Sequence, residues 1–144
     1  MKIYLLIAIL FLNLFEGKIK IENAWIRPSM KEMSSAAYLT ITNNNDKPDT
    51  LYKAYYKFAK MTQVHETYTD GDMKGMREVK NLVIPANSKV ELKPGGNHIM
   101  LMSLTKDLTA DSLEEIKLYF KNAGEITVKA KVQDMSMKNH NHSH

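Results

Sequence analysis

The chain of 144 residues has no cysteine. That excludes a disulfide framework, a thiolate zinc site, a CxxC redox pair and a lipid-bearing cysteine. Arginine is nearly as scarce: eighteen of the twenty basic residues are lysines, and only Arg27 and Arg77 carry the planar fork that suits phosphate. The lysines are scattered, so the formal charge of +4 describes a solvated surface and not a nucleic-acid footprint. No serine sits in a GxSxG elbow, and no glycine-rich loop opens a helix. Gly95-Gly96 follows Pro94 and reads as a turn. A histidine-based triad would take His65 or His98 as its base, but no spacing nominates a nucleophile. Glu114-Glu115 and the pair Asp70 and Asp72 read as solvated loop residues. The expectation is a protein that is not an enzyme and has no small-molecule substrate. Against one tryptophan stand ten methionines, the one excess in the composition.

The first segment reads as an address. Met1 to Gly17 is MKIYLLIAILFLNLFEG, with Lys2 as a positive start and an unbroken apolar run from Ile3 to Leu12. That run has the length of a secretory signal core and is short of the roughly 20 residues that span a bilayer. Residues 1–17 are therefore read as a signal peptide, and the protein as periplasmic, tethered to the membrane if the leader stays attached. Removing the leader takes one lysine and one glutamate, so the charge is unchanged.

From residue 18 to 133 the pattern is that of strands. Ala37, Leu39 and Ile41 alternate with Tyr38, Thr40 and Thr42; Ile116, Leu118 and Phe120 alternate with Lys117, Tyr119 and Lys121; Ile126, Val128, Ala130 and Val132 alternate with polar residues. A period of two puts each set on one face of a sheet. Turn clusters separate the runs: Asn43-Asn44-Asn45-Asp46, Asp70-Gly71-Asp72, Pro85-Ala86-Asn87-Ser88, Pro94-Gly95-Gly96-Asn97 and Asn122-Ala123-Gly124. Short strands so often punctuated predict a single all-β domain, a two-sheet sandwich. Only Ser112 to Glu115 suggests a helical turn. The remainder, residues 134–144, is DMSMKNHNHSH, a segment without periodicity that is expected to be disordered and, by composition, able to hold metal.

Sulfur and imidazole concentrate at one place. In a strand through Gly96 to Leu104, His98, Met100 and Met102 share a face, and Ile99 and Leu101 point to the core. The side chains of His98 and Met100 then start about 6–7 Å apart, near enough to meet on one ion. His65 falls in a candidate strand over 61–68, and Met73 and Met76 follow the Asp70-Gly71 turn, so two strands and a loop converge. Thioether and imidazole donors suit Cu(I), whereas zinc prefers cysteine, histidine and carboxylate. In an oxidising compartment thioethers have the further advantage that they do not couple as thiols do. The ordinary alternative for each residue alone is a core-filling methionine or a hydrogen-bonded histidine. Met30, Met33 and Met61 are assigned to those ordinary classes.

These residues resemble the signature of the periplasmic copper chaperone family known as PCuAC, H-x10-M-x21-H-x-M. His65, Met76, His98 and Met100 match it at every position. Ala24-Trp25-Ile26-Arg27, Met76-Arg77-Glu78-Val79, Ile84-Pro85-Ala86 and the run from Pro94 to Met102 are similar too. The resemblance covers about residues 22–133. It implies a cupredoxin-like Greek-key β-sandwich that holds one Cu(I) through His65, Met76, His98 and Met100. It implies a monomer that passes copper to the dinuclear copper centre of cytochrome c oxidase, with oxidase subunit II or a Sco-type protein as partner. It also makes the tail a candidate holder of Cu(II). One departure is that Glu66, Thr67, Tyr68 and Thr69 occupy the stretch where members often place a methionine after the first histidine. Two alternatives stand beside delivery: copper sequestration for tolerance, and a metal-free β-sandwich interaction module.

Overall fold

The alternating runs form strands because each can lay one face on a core and leave the other in water. The computed structural model describes residues 18–134, so the leader over 1–17 and all but the first residue of the tail lie outside the described residues. Ten strands follow in order: β1 (Ile19–Ile26), β2 (Ser35–Asn43), β3 (Asp49–Tyr55), β4 (Ala59–Asp70), β5 (Met73–Glu78), β6 (Leu82–Ile84), β7 (Ser88–Leu92), β8 (His98–Leu104), β9 (Leu113–Phe120) and β10 (Gly124–Val132). No helix occurs among the described residues, in keeping with the all-β reading. The helical turn expected at Ser112 to Glu115 is instead the start of β9. There Glu114 continues the buried face of Ile116, Leu118 and Phe120 and faces Ala130 of β10. The period-two pattern, fixed by sheet pairing, overrides a weak serine cap. Glu114 is accordingly buried, not solvated, and Lys106 Nζ meets its carboxylate at 2.8 Å.

The strands lie on one hydrogen-bonded path, β5-β4-β8-β2-β1-β10-β9-β3-β6, with β7 also on β2. Its two halves join where β1 and β10 run parallel at Trp25–Lys131 and Ile26–Val132, and they close on a common core. Leu39, Ile41, Ile99 and Leu101 come from one half, and Leu51, Ile84, Ile116, Leu118 and Phe120 from the other. At the pole where β1 begins, two buried polar side chains tie turns together. Asn43 Nδ2 donates to the carbonyls of Lys47 (2.9 Å) and Ile84 (3.1 Å), while its Oδ1 accepts from Asn45 N. The Asp49 carboxylate accepts from the amides of Thr50, Asn122 and Ala123 at 2.7–2.9 Å.

Two irregularities shape the opposite pole. In β1, Glu22 faces Thr40 and Trp25 faces Tyr38, so Asn23 and Ala24 both stand opposite Leu39. Asn23 adopts the left-handed conformation (φ 56°) that such a bulge needs and that asparagine tolerates. The bulge turns Trp25 out of the core face and sends Ile26 into it. The second irregularity lies between β7 and β8, which share one edge of β2 in succession. Leu39 faces Leu92 and Ala37 faces Ile99, so Lys93 to His98 all stand opposite Tyr38. The Pro94-Gly95-Gly96-Asn97 cluster is thus an excursion from a continuing edge, closed by Lys93 N donating to Asn97 O at 2.9 Å.

Candidate metal centre

Strand register assigns the site residues to one side of the sheet. His65 of β4 lies opposite His98 of β8, Gln63 opposite Met100, and Ala36 of β2 opposite Met100 on the far side. Met76 of β5 lies opposite Thr67, two residues on from His65. Since alternate residues share a face, His65, Thr67, Met76, His98 and Met100 all project away from the core that Val64, Ile99 and Leu101 fill. Met76 comes from a strand, not from the loop expected after the Asp70-Gly71 turn, because the turn closes a β4–β5 hairpin.

The histidines are held differently from the methionines. His98 is only 4% exposed, and its Nδ1 donates to the carbonyl of Gly96 at 3.0 Å. A carbonyl only accepts, so Nδ1 carries the proton and Nε2 carries a lone pair. Nε2 is buried and has no hydrogen-bond partner in the protein. His65 shows the mirror arrangement: Nε2 donates to Gln63 Oε1 at 2.9 Å, leaving the buried Nδ1 without a partner. The rings meet nearly edge to face, with centroids 5.8 Å apart. Burial, then the neighbouring His98, lowers the pKa of His65 below the usual histidine value, with Glu78 opposing. Both features favour the neutral form of His65, the form in which imidazole binds metal.

Around the imidazoles the walls are aromatic and sulfur. A cleft of about 750 Å³ is lined by Met76, His98 and Met100 together with Arg27, Tyr38 and Thr67. His65 is not among its walls and adjoins it through His98. The Tyr38 ring lies 6.5 Å from that of His98 and stacks on Trp25 at 4.6 Å, with the Arg27 guanidinium 5.5 Å from the Tyr38 centroid. Met100 is half-buried, while Met76 is 58% exposed. Gly75 beside it is covered by an aromatic ring: a Cβ there would lie 2.6 Å from the outer end of the ring of Tyr68, its cross-strand partner, which would have to move aside.

Sequence reasoning did not find Gln63 or the Gly96 carbonyl, which fix the tautomers. Gln63 had a signal in its i−2 position on the face of His65; the Gly96 carbonyl had none, since it depends on the excursion before β8. Met30, Met33 and Met61 lie at the surface, and none of the described methionines is in the core.

In the search of curated proteins the chain is 32% identical over 125 residues to "Putative lipoprotein Lxx21020" of Leifsonia xyli subsp. xyli (strain CTCB07), covering 86% of this chain and 75% of the relative. Among solved structures it is similar to the copper-bound PCuAC domain from PmoF2, with a TM-score of 0.69 and 30% identity over 81% of this chain and 93% of that one. It is also similar to the solution structure of CuI-DR1885 from Deinococcus radiodurans, with a TM-score of 0.64 and 28% identity over 83% of each chain. The family model described as "Putative lipoprotein LpqE-like" matches residues 19–132, and the chain belongs to this LpqE-like family.

Proposed function

We propose that the protein is a copper carrier that holds one Cu(I) on His65 Nδ1, His98 Nε2 and the thioethers of Met76 and Met100. The observation that carries the reading is the pair of buried imidazole nitrogens without partners, each set by a hydrogen bond from the opposite ring nitrogen. A buried lone pair left unpaired costs free energy unless something binds it, and an acceptor that takes the proton of the other ring nitrogen, fixing the tautomer, is the habit of metal-binding histidines. The donor set selects the ion. Among the described residues no group of three or more histidine, aspartate and glutamate side chains comes together, so hard cations lack a cage. Neutral imidazole with thioether suits Cu(I). The copper-bound and CuI forms of the similar domains point the same way.

Carriage needs no bond in a substrate to change. Met76 stands on an exposed edge strand, so an acceptor's donor can replace its sulfur first, and the remaining ligands can follow in turn. We assign the protein to the exported side of the membrane, from the leader pattern and from a relative named a lipoprotein. The 144 residues contain no cysteine to carry such a lipid. Delivery to the dinuclear copper centre of cytochrome c oxidase, through subunit II or a Sco-type partner, is the role we infer for the carried ion.

The test is an anaerobic Cu(I) competition titration against a chromogenic chelator. It uses the full chain with His140, His142 and His144 replaced by alanine. One tight equivalent, lost when His98→Ala is added, is the expected result; no tight equivalent would overturn the reading. Loaded protein mixed with the apo copper domain of oxidase subunit II should then give up its ion. If deletion instead lowers copper survival and leaves oxidase activity intact, the role is sequestration.

A further inference from the structure

The four proposed ligands leave two methionines on the same face of the sheet, Met61 and Met102, unexplained. Methionine ordinarily fills irregular gaps in a core, yet all seven described methionines lie outside it. Met61, 52% exposed, lies directly opposite Met102 across the β4–β8 pairing. Gln63 and Met100 form the next pair on that face, and His65 and His98 the one after. Met61 is therefore the direct neighbour of Met102 and the diagonal neighbour of Met100, while Met100 and Met102 stand two apart on one face. In sheet geometry these three positions are separated by about 5 to 8 Å. Each thioether sulfur sits two bonds beyond Cβ, so three can close on an ion at metal–sulfur bonding distance. A donor set of sulfur alone, neutral and half in solvent, holds Cu(I) or Ag(I) and offers nothing to Zn²⁺, Mg²⁺ or Ca²⁺.

We propose that Met61, Met100 and Met102 form a second, thioether-only site for a soft monovalent cation, an exchange site that shares Met100 with the imidazole pair. The inference rests on the Cu(I) reading above for its physiological ion, but not for its geometry. Met100 pivots between two donor sets one row apart: toward Met61 and Met102 on the exposed side, and toward His98 on the buried side. An ion held by the outer set has weaker donors and better access to a partner. Gln63, whose Oε1 fixes His65, lies opposite the shared methionine and borders both sets.

The test follows methionine methyl groups in the full chain labelled with [methyl-13C]methionine, titrated with Ag(I), which does not change oxidation state. With the first equivalent the methyls of Met76 and Met100 should shift. With the second, those of Met61 and Met102 should shift, while Met30 and Met73 stay in place as internal controls. If Met61 and Met102 move no further than Met30 and Met73, the second site does not exist. A second arm uses His65→Gln with His98→Gln. This variant should keep a weak Ag(I) site that falls at least about tenfold when Met61→Leu and Met102→Leu, changes of similar volume, are added. An unchanged affinity would equally overturn the proposal. Loss of the tight histidine-dependent Cu(I) equivalent with persistence of the Met61 and Met102 shifts would remove the carrier reading and leave this site standing. The converse result would do the opposite.

Discussion

The two arms of the site are built on opposite principles. β8 is an interior strand with β4 on one edge and β2 on the other, and it carries His98 and Met100 in alternation with the core residues Ile99 and Leu101. β5 ends the sheet, has β4 alone as its neighbour and is almost wholly exposed, so Met76 is held by one hairpin. On β8 the same residues that order the fold order the proposed ligands, and on β5 the proposed ligand is decoupled from the core. A carrier benefits from such asymmetry: one side preorganised to capture the ion, the other free to give it up.

The contrast can be broken most severely on the β8 side. His98→Ala should abolish tight Cu(I) binding and also lower stability by about 1–3 kcal/mol, because it empties a buried position and strands the Gly96 carbonyl. Chelator competition and urea unfolding measure the two losses together. On the β5 side they should separate: Met76→Leu should weaken Cu(I) binding by about tenfold or more with the urea midpoint unchanged. Gly75→Ala sharpens the point further. Its Cβ would press on the outer end of the exposed Tyr68 ring and push it aside, so it should give a smaller loss than Met76→Leu, and Tyr68→Ala in the same chain should restore most of the affinity. Failure of that rescue would mean Gly75 acts other than by clearing the ring.

A smaller effect concerns pH. The pKa of His65 is lowered in the fold from 6.5. Below that value the unfolded chain takes up a proton that the folded chain resists, so the metal-free protein should lose stability as pH falls through 6.5 and stop losing it on this account once the folded pKa is passed. Thermal melts from pH 7.5 to 5 should show the slope, and His65→Gln should reduce it. The smallest effect is expected for Arg77→Ala. Arg77 pairs with Glu66 and lies over Tyr68, yet both charged groups are exposed, so stability should change by less than about 0.5 kcal/mol.

Most of the β-architecture was legible because alternation reports burial directly: the runs at Ala37–Thr42, Ile116–Lys121 and Ile126–Val132 each became strands with the predicted face inward. Ile99 and Leu101 likewise went to the core, which placed His98 and Met100 on the other face. What failed was local. Ser112 to Glu115 looked helical because a serine precedes two glutamates, and nothing local announces that Glu114 will meet Lys106 from another segment. The bulge at Asn23 was equally hidden, since its effect is to reverse the alternation that a reader relies on. Whether His65, Met76, His98 and Met100 act as ligands was suggested by spacing and family likeness, and their placement on one face gives that suggestion a geometry to test. The tautomers of both histidines are set by contacts two residues back in the chain, Gln63 for His65 and the Gly96 carbonyl for His98.

The bulge in β1 has an optical corollary. By turning Trp25 outward onto Tyr38, whose ring in turn neighbours His98, it sets the only indole of the chain in a stack leading to the imidazole pair. Emission excited at the red edge of the indole band is therefore expected to respond to a change at His98 through one intervening ring. The proposed loading of an ion at the imidazoles should then be visible in real time without a dye, a tag or a chelator competing for the ion.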